Sequence, residues 1–242
     1  MIAEVTFVDH AIVALLLLIL PLYAKRNFTR LKAALDAGDR AELTRTYRRT
    51  VVRLTVVGVS VGAAWLLQGR SLEALGLGTP TGSSGFVAGI LIALLLLSYA
   101  GMQVWAVARS ERYQVRVRER IEATGLDSLV PASGAEYRYF VAVAISAGIW
   151  EELLFRGFLI AWFAHWIGPI GGVLAAAAAF GVAHLYQGPS GVAKTGVAGL
   201  IGGFLYLLTG SLWIPMVLHT AVDLHAGTLG YLSAGVRRND RP

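Results

Sequence analysis

The sequence predicts an all-α fold: a polytopic transmembrane helix bundle of about seven spans, with the N-terminus outside and the C-terminus cytoplasmic. Three observations carry that expectation. The 242 residues are 56% hydrophobic and 15% charged, whereas a soluble domain carries roughly a quarter charged residues. The apolar residues fall in blocks, each near the ~20 residues that cross a bilayer as a helix. The basic residues gather in alternate gaps between those blocks, as the positive-inside rule requires.

The blocks are residues 7–24, 51–69, 86–107, 137–167, 170–187, 192–210 and 212–232. Glu4 and Asp9 lie where a signal peptide needs positive charge, and Lys25 and Arg26 follow the first block without a small-residue cleavage site, so it is expected to remain as an anchor. Of the 21 Lys and Arg, all but Arg70 and Arg156 fall in regions that seven spans would put inside: residues 25–53, residues 109–138, Lys194 and the tail with Arg237, Arg238 and Arg241. Topology therefore accounts for the net charge of +6, and nucleic acid is not an expected partner. Residues 27–50 and 108–130 mix apolar side chains with charge and read as interfacial amphipathic helices. Residues 76–85 are rich in Gly, Ser, Thr and Pro and read as an irregular outer loop. The absence of cysteine removes disulfides, thiolate metal sites and a cysteine nucleophile. Three divisions are expected: membrane helices over 1–136, a catalytic core over 137–232 and a cytoplasmic tail over 233–242.

An ionisable side chain at mid-bilayer costs about 2.5–3.5 kcal/mol on insertion scales. Each therefore needs a reason. In the fourth block Glu151, Glu152 and Arg156 interrupt an apolar run. Glu152 and Arg156 are spaced to pair on one face, which leaves Glu151, about 100° around the helix, free for proton transfer. A structural ion pair explains the first two but not the third. The fifth block adds His184 after an alanine run that permits close helix approach, and a lone histidine there would mean little. In the seventh, His219 and Asp223 are one turn apart, a spacing at which a carboxylate can orient an imidazole and fix its tautomer. His10, His165 and His225 are set aside as interfacial or off this face. The remaining inventory is that of a hydrolase. Glu151 activates water, His184 holds it or a metal, and His219 with Asp223 stabilises the oxyanion. With zinc, Glu151, His184 and His219 would be the ligands of an open catalytic site.

These motifs resemble the CPBP or Abi family of intramembrane proteases, the CAAX prenyl endopeptidases and bacteriocin-processing proteins. Glu-Glu-x-x-x-Arg is met by Glu151, Glu152 and Arg156, Phe-x-x-x-His by Phe180 and His184, and His-x-x-x-Asn/Asp by His219 and Asp223. The resemblance covers about 137–232. It implies a membrane-embedded endopeptidase, in a bacterial cell membrane, acting on a peptide or membrane-protein substrate. It assigns Glu151 and His184 to water activation, and His219 and Asp223 to the oxyanion site. Family members are described both as zinc-dependent and as using glutamate without metal, so the resemblance leaves the cofactor open, with Zn2+ as the candidate. Prenyl proteases of the family commonly have Asn in the last motif. An ionised Asp223 could not donate to an oxyanion, so Asp223 is protonated, orients His219 or binds a metal.

Three other readings compete. Gly188-Pro189-Ser190-Gly191 and Gly82-Ser83-Ser84-Gly85 fit a rhomboid-like serine protease with His219 as base. Buried carboxylates and histidines also build proton-coupled transporters. A noncatalytic scaffold or immunity protein of the same fold is the third. The spacing of residues leaves oligomeric state open.

Overall fold

The computed structural model describes residues 4–78 and 84–235, and every regular element among them is helical. The bundle is built from α1 (Phe7–Ala14), α2 (Leu20–Asp36), α3 (Ala41–Leu67), α4 (Ser84–Arg109), α5 (Glu111–Glu122), α6 (Gly134–Glu151), α7 (Ile160–Ala183), α8 (Gly188–Thr209) and α9 (Trp213–Ala234). Five helical stretches are long and apolar enough to cross a membrane: Phe7–Asp36, Ala41–Leu67, Ser84–Arg109, Gly134–Ala183 and Leu185–Thr209. The fourth holds two of the expected blocks. Gly168 has φ 74°, a conformation open to glycine but strained for other residues, and Pro169 follows it. The chain reverses there, so Phe155 and Phe180 meet edge to face with ring centroids 5.0 Å apart. The α9 helix lies outside the five because His219, Asp223 and His225 lower its hydropathy.

Local chemistry sets the ends. Thr6 and Asp9 form a reciprocal capping box that starts α1. Widened π-turns over Leu15–Ile19 join α1 to α2, just ahead of Pro21. Proline donates no N–H, and the local change of pitch leaves a continuous rod. Pro189 opens α8 and left-handed Gly210 closes it.

The amphipathic stretch 27–50 is not a separate interfacial helix. Its first part continues α2 to Asp36 and its second is the opening of α3, with a turn at Gly38 between them. No helix breaker falls between Lys25 and Asp36, so the helix runs on past the apolar block. By contrast α5 is a separate short helix with no buried side chain. The outer loop is partly inside the fold. Leu75 is fully buried, and the Gly76 carbonyl accepts the Leu212 N–H at 2.9 Å. Residues 79–83 and the basic tail with Arg237, Arg238 and Arg241 lie outside the described residues.

Leu91, Leu94, Leu95 and Met102 on α4 are exposed, as expected of side chains that face lipid, where the backbone must satisfy its own hydrogen bonds. The protein is an integral membrane protein. Ion pairs staple both ends of the bundle. At one end Arg40 makes two 2.9 Å bonds to Glu136 and donates to the Ser128 and Val130 carbonyls, tying the α2–α3 turn to the start of α6. At the other, fully buried Asp9 accepts from Arg70 at 2.6 and 2.8 Å, and Arg70 also lies over the Trp65 ring. Removing one member of a buried pair strands the other charge. Asp9→Ala is therefore expected to destabilise the folded protein by about 3 kcal/mol, and Asp9→Ala/Arg70→Met by clearly less, as measured by unfolding in nanodiscs.

Candidate active site

The site begins where α6 changes pitch. Glu151 ends α6, and Glu152–Leu159 is a π-helical segment in which every side chain is buried. Such widened turns leave the backbone ladder imperfect and recur at functional sites. Here they turn Glu152 inward among apolar neighbours, with its side chain 2% exposed.

A carboxylate so placed must be paired. Glu152 Oε1 lies 2.9 Å from Arg156 Nη1 and 2.7 Å from His219 Nδ1. One oxygen therefore serves a cation on its own helical stretch and an imidazole on α9. The Arg156 guanidinium is held over the Phe180 ring at 4.2 Å, against Gly202 of α8. The sequence expectation of a Glu152–Arg156 pair holds. Orienting His219, one of the three roles open to Asp223, is not done through a direct hydrogen bond. Asp223 Oδ2 stands 3.7 Å from His219 Nε2, beyond hydrogen-bond reach, because the ring turns its Nδ1 across the helix interface to Glu152.

Close packing makes that crossing possible. Gly148 on α6 faces Thr220 and the Met216 carbonyl of α9, and a Cβ there would lie 2.8 Å from the Thr220 nitrogen and 3.0 Å from that carbonyl. Small residues at such crossings let membrane helices approach by van der Waals contact. His184 arrives through the hairpin: it follows the last turn of α7, and its Nδ1 donates to the Phe180 carbonyl at 2.8 Å.

Both imidazoles are thus held by Nδ1, and a neutral ring held this way presents the lone pair of Nε2. Those two atoms converge on Glu151. Its Oε2 is 4.0 Å from His184 Nε2 and 3.9 Å from His219 Nε2. All of Glu151, His184, His219 and Asp223 line one cavity of about 340 Å³, walled by α2, α3, α6 and α9. The structure therefore brings all six predicted residues together, Glu152 and Arg156 behind the cavity and the other four on it.

Two imidazoles and a carboxylate are zinc-type donors. Ligand atoms ~2.1 Å from a tetrahedral zinc lie about 3.4 Å from one another, closer than these three stand. Among the described residues no group of three or more His, Asp or Glu is arranged to hold a metal ion. As placed, Glu151, His184 and His219 do not form a metal cage.

Residues 134–225 match the family model described as Rce1-like, type II CAAX prenyl endopeptidase. Over this segment, well under half of the chain, the protein is similar to the type II CAAX prenyl endopeptidases. The match contains every one of the six residues and runs from the first turn of α6 to just past Asp223. No curated protein and no solved structure matches the chain. The match supports an endopeptidase acting on a peptide in a membrane setting.

Sequence reasoning missed two side chains of this cavity. Tyr186 lines the cavity and packs on Phe28 of α2, with centroids 5.3 Å apart. Arg53 of α3 lines it as well. Neither lies in a motif: Tyr186 is in the turn after α7, two residues past His184, and Arg53 reaches the cavity because α3 packs onto the matched segment.

The buried Glu152 makes a sharp prediction. Arg156→Met leaves its carboxylate with His219 alone and is expected to cost about 3 kcal/mol of stability. Arg156→Met/Glu152→Gln is expected to recover part of that loss, a coupling read from a double-mutant cycle of melts.

Proposed function

We propose that the protein is an intramembrane endopeptidase in which Glu151 activates a water against the scissile carbonyl. The observation that carries this reading is the convergence of His184 Nε2 and His219 Nε2 on Glu151 Oε2, at 4.0 and 3.9 Å. These separations are too long for direct hydrogen bonds and suit one bridging water, which would donate one hydrogen bond to Glu151 and the other to an imidazole. Its lone pair is then free for attack. Glu151 takes the proton as the C–O bond forms and delivers it to the leaving amine as the C–N bond breaks. One imidazole, protonated from solvent before the attack, donates its Nε2–H to the developing oxyanion while the other accepts from the water. Glu152 and Arg156 hold His219 at the angle this needs.

Ser190 and Ser84, the serines of the rhomboid-like reading, are both exposed and do not line the cavity. Gly85 abuts Leu208 near the end of α8, whereas Ser190 lies at its start. The serine reading has no geometric support. The charges that a transporter would need are spent on one pocket, and a scaffold has no use for two imidazoles held by Nδ1 with Nε2 turned to a carboxylate.

Glu151→Gln is isosteric and lacks the base. It is expected to melt like the wild type and to cleave a library of membrane peptides at least ~100-fold more slowly. Metal content measured on both samples tests the base directly. Stoichiometric zinc in the wild type, lost together with activity on chelation, would replace the glutamate-only scheme with a metal-bound one.

A further inference from the structure

The cavity that Glu151 lines also holds a basic side chain to which the hydrolytic scheme gives no task. Arg53 is the one Lys or Arg in its lining. Elsewhere the arginines that enter the fold each meet a carboxylate: Arg40 meets Glu136, Arg70 meets Asp9 and Arg156 meets Glu152. Arg53 has no ion pair among the described residues. Its Nη2 makes a long 3.4 Å contact to the Thr50 hydroxyl, its guanidinium lies over the Tyr23 ring at 5.1 Å, and its Nε is buried with no hydrogen-bond partner.

The Tyr23 contact holds the face of the guanidinium and leaves its edge, which carries the N–H donors, for something else. Thr50, Leu54, Leu31 and Phe140 are among the neutral residues that line the cavity with it. Glu151 and Asp223 line the same cavity and repel a second anion, so the arginine is where a negative group can be held. A planar fork of donors matches a carboxylate, and in an apolar setting that pairing is strong.

We propose that Arg53 is a specificity-determining residue that receives a carboxylate of the bound peptide, so that the site selects substrates with a carboxylate on one side of the scissile bond. The group is either the peptide's terminal α-carboxylate or an Asp or Glu side chain. The proposal rests on the peptidase reading for its purpose, but its test is a binding measurement independent of cleavage.

The probes are short fluorescently labelled apolar peptides. Each is made as the free acid and as the C-terminal amide, and each again with one internal Glu or its Gln counterpart. Binding is measured by anisotropy to Glu151→Gln protein in nanodiscs, in that background alone and with Arg53→Gln or Arg53→Lys added. Acids are expected to bind about tenfold tighter than amides or more. Arg53→Gln is expected to abolish that preference while apolar amides bind unchanged, and Arg53→Lys to keep part of it. A preference that follows the internal Glu instead assigns the side-chain source. Equal binding of charged and neutral peptides in the Glu151→Gln protein, which needs no change at Arg53, overturns the proposal. So does a preference that survives Arg53→Gln, or binding of no peptide at all. If wild type then cleaves nothing while the Arg53-dependent preference stands, the peptidase reading fails and this inference does not.

Discussion

A single buried carboxylate oxygen organises this protein. Glu152 Oε1 is shared by Arg156, at 2.9 Å, and His219, at 2.7 Å. In a bilayer interior an unpaired charge costs more than a helix bundle of ordinary stability can spare. The carboxylate must therefore hold both partners, and in doing so it fixes α9 against the π-helical segment. The arginine is fixed in turn by the Phe180 ring and the backbone of α8 at Gly202. Three successive parts of the chain thus share one electrostatic centre. The neighbouring Glu151, on the other side of the same helix, is left facing the cavity.

The packing around that centre follows from the solvent. Lipid supplies little hydrophobic drive between helices, so association depends on close contact and on polar groups that find each other. Gly148 lets α9 approach closely enough for His219 to reach Glu152. The reversal at Gly168 and Pro169 folds α7 back so that Phe180 lies beside Phe155 and presents its carbonyl to His184. Arg40 with Glu136 and Asp9 with Arg70 close the two ends. The charged residues that are costly to bury are therefore the residues that lock the fold.

The same arrangement separates two tasks that carboxylates perform. Glu152 is dry and held through one oxygen by Arg156 and His219, which suits holding. Glu151 is partly exposed to the cavity and meets two ring nitrogens only at about 4 Å, which suits handling a proton. Adjacent residues of one type acquire different chemistry because the helix turns them to different surroundings.

The all-α membrane architecture was determined by the sequence, because long apolar blocks and the distribution of Lys and Arg are properties of the chain that a bilayer reads directly. The six polar residues of the site were legible for the same reason: hydrocarbon makes every such residue an exception that stands out. Spacing gave the Glu152–Arg156 pair, since those residues share a helical stretch. Spacing misled at His219, where proximity along the helix favoured Asp223 but the partner is Glu152 on another helix. It also missed Arg53 and Tyr186, and it ended the first helix at an apolar boundary that the backbone ignores. Which ring nitrogen faces which carboxylate depends on how closely α6, α7 and α9 cross, and that distance is set by side-chain volumes across interfaces that no local pattern encodes.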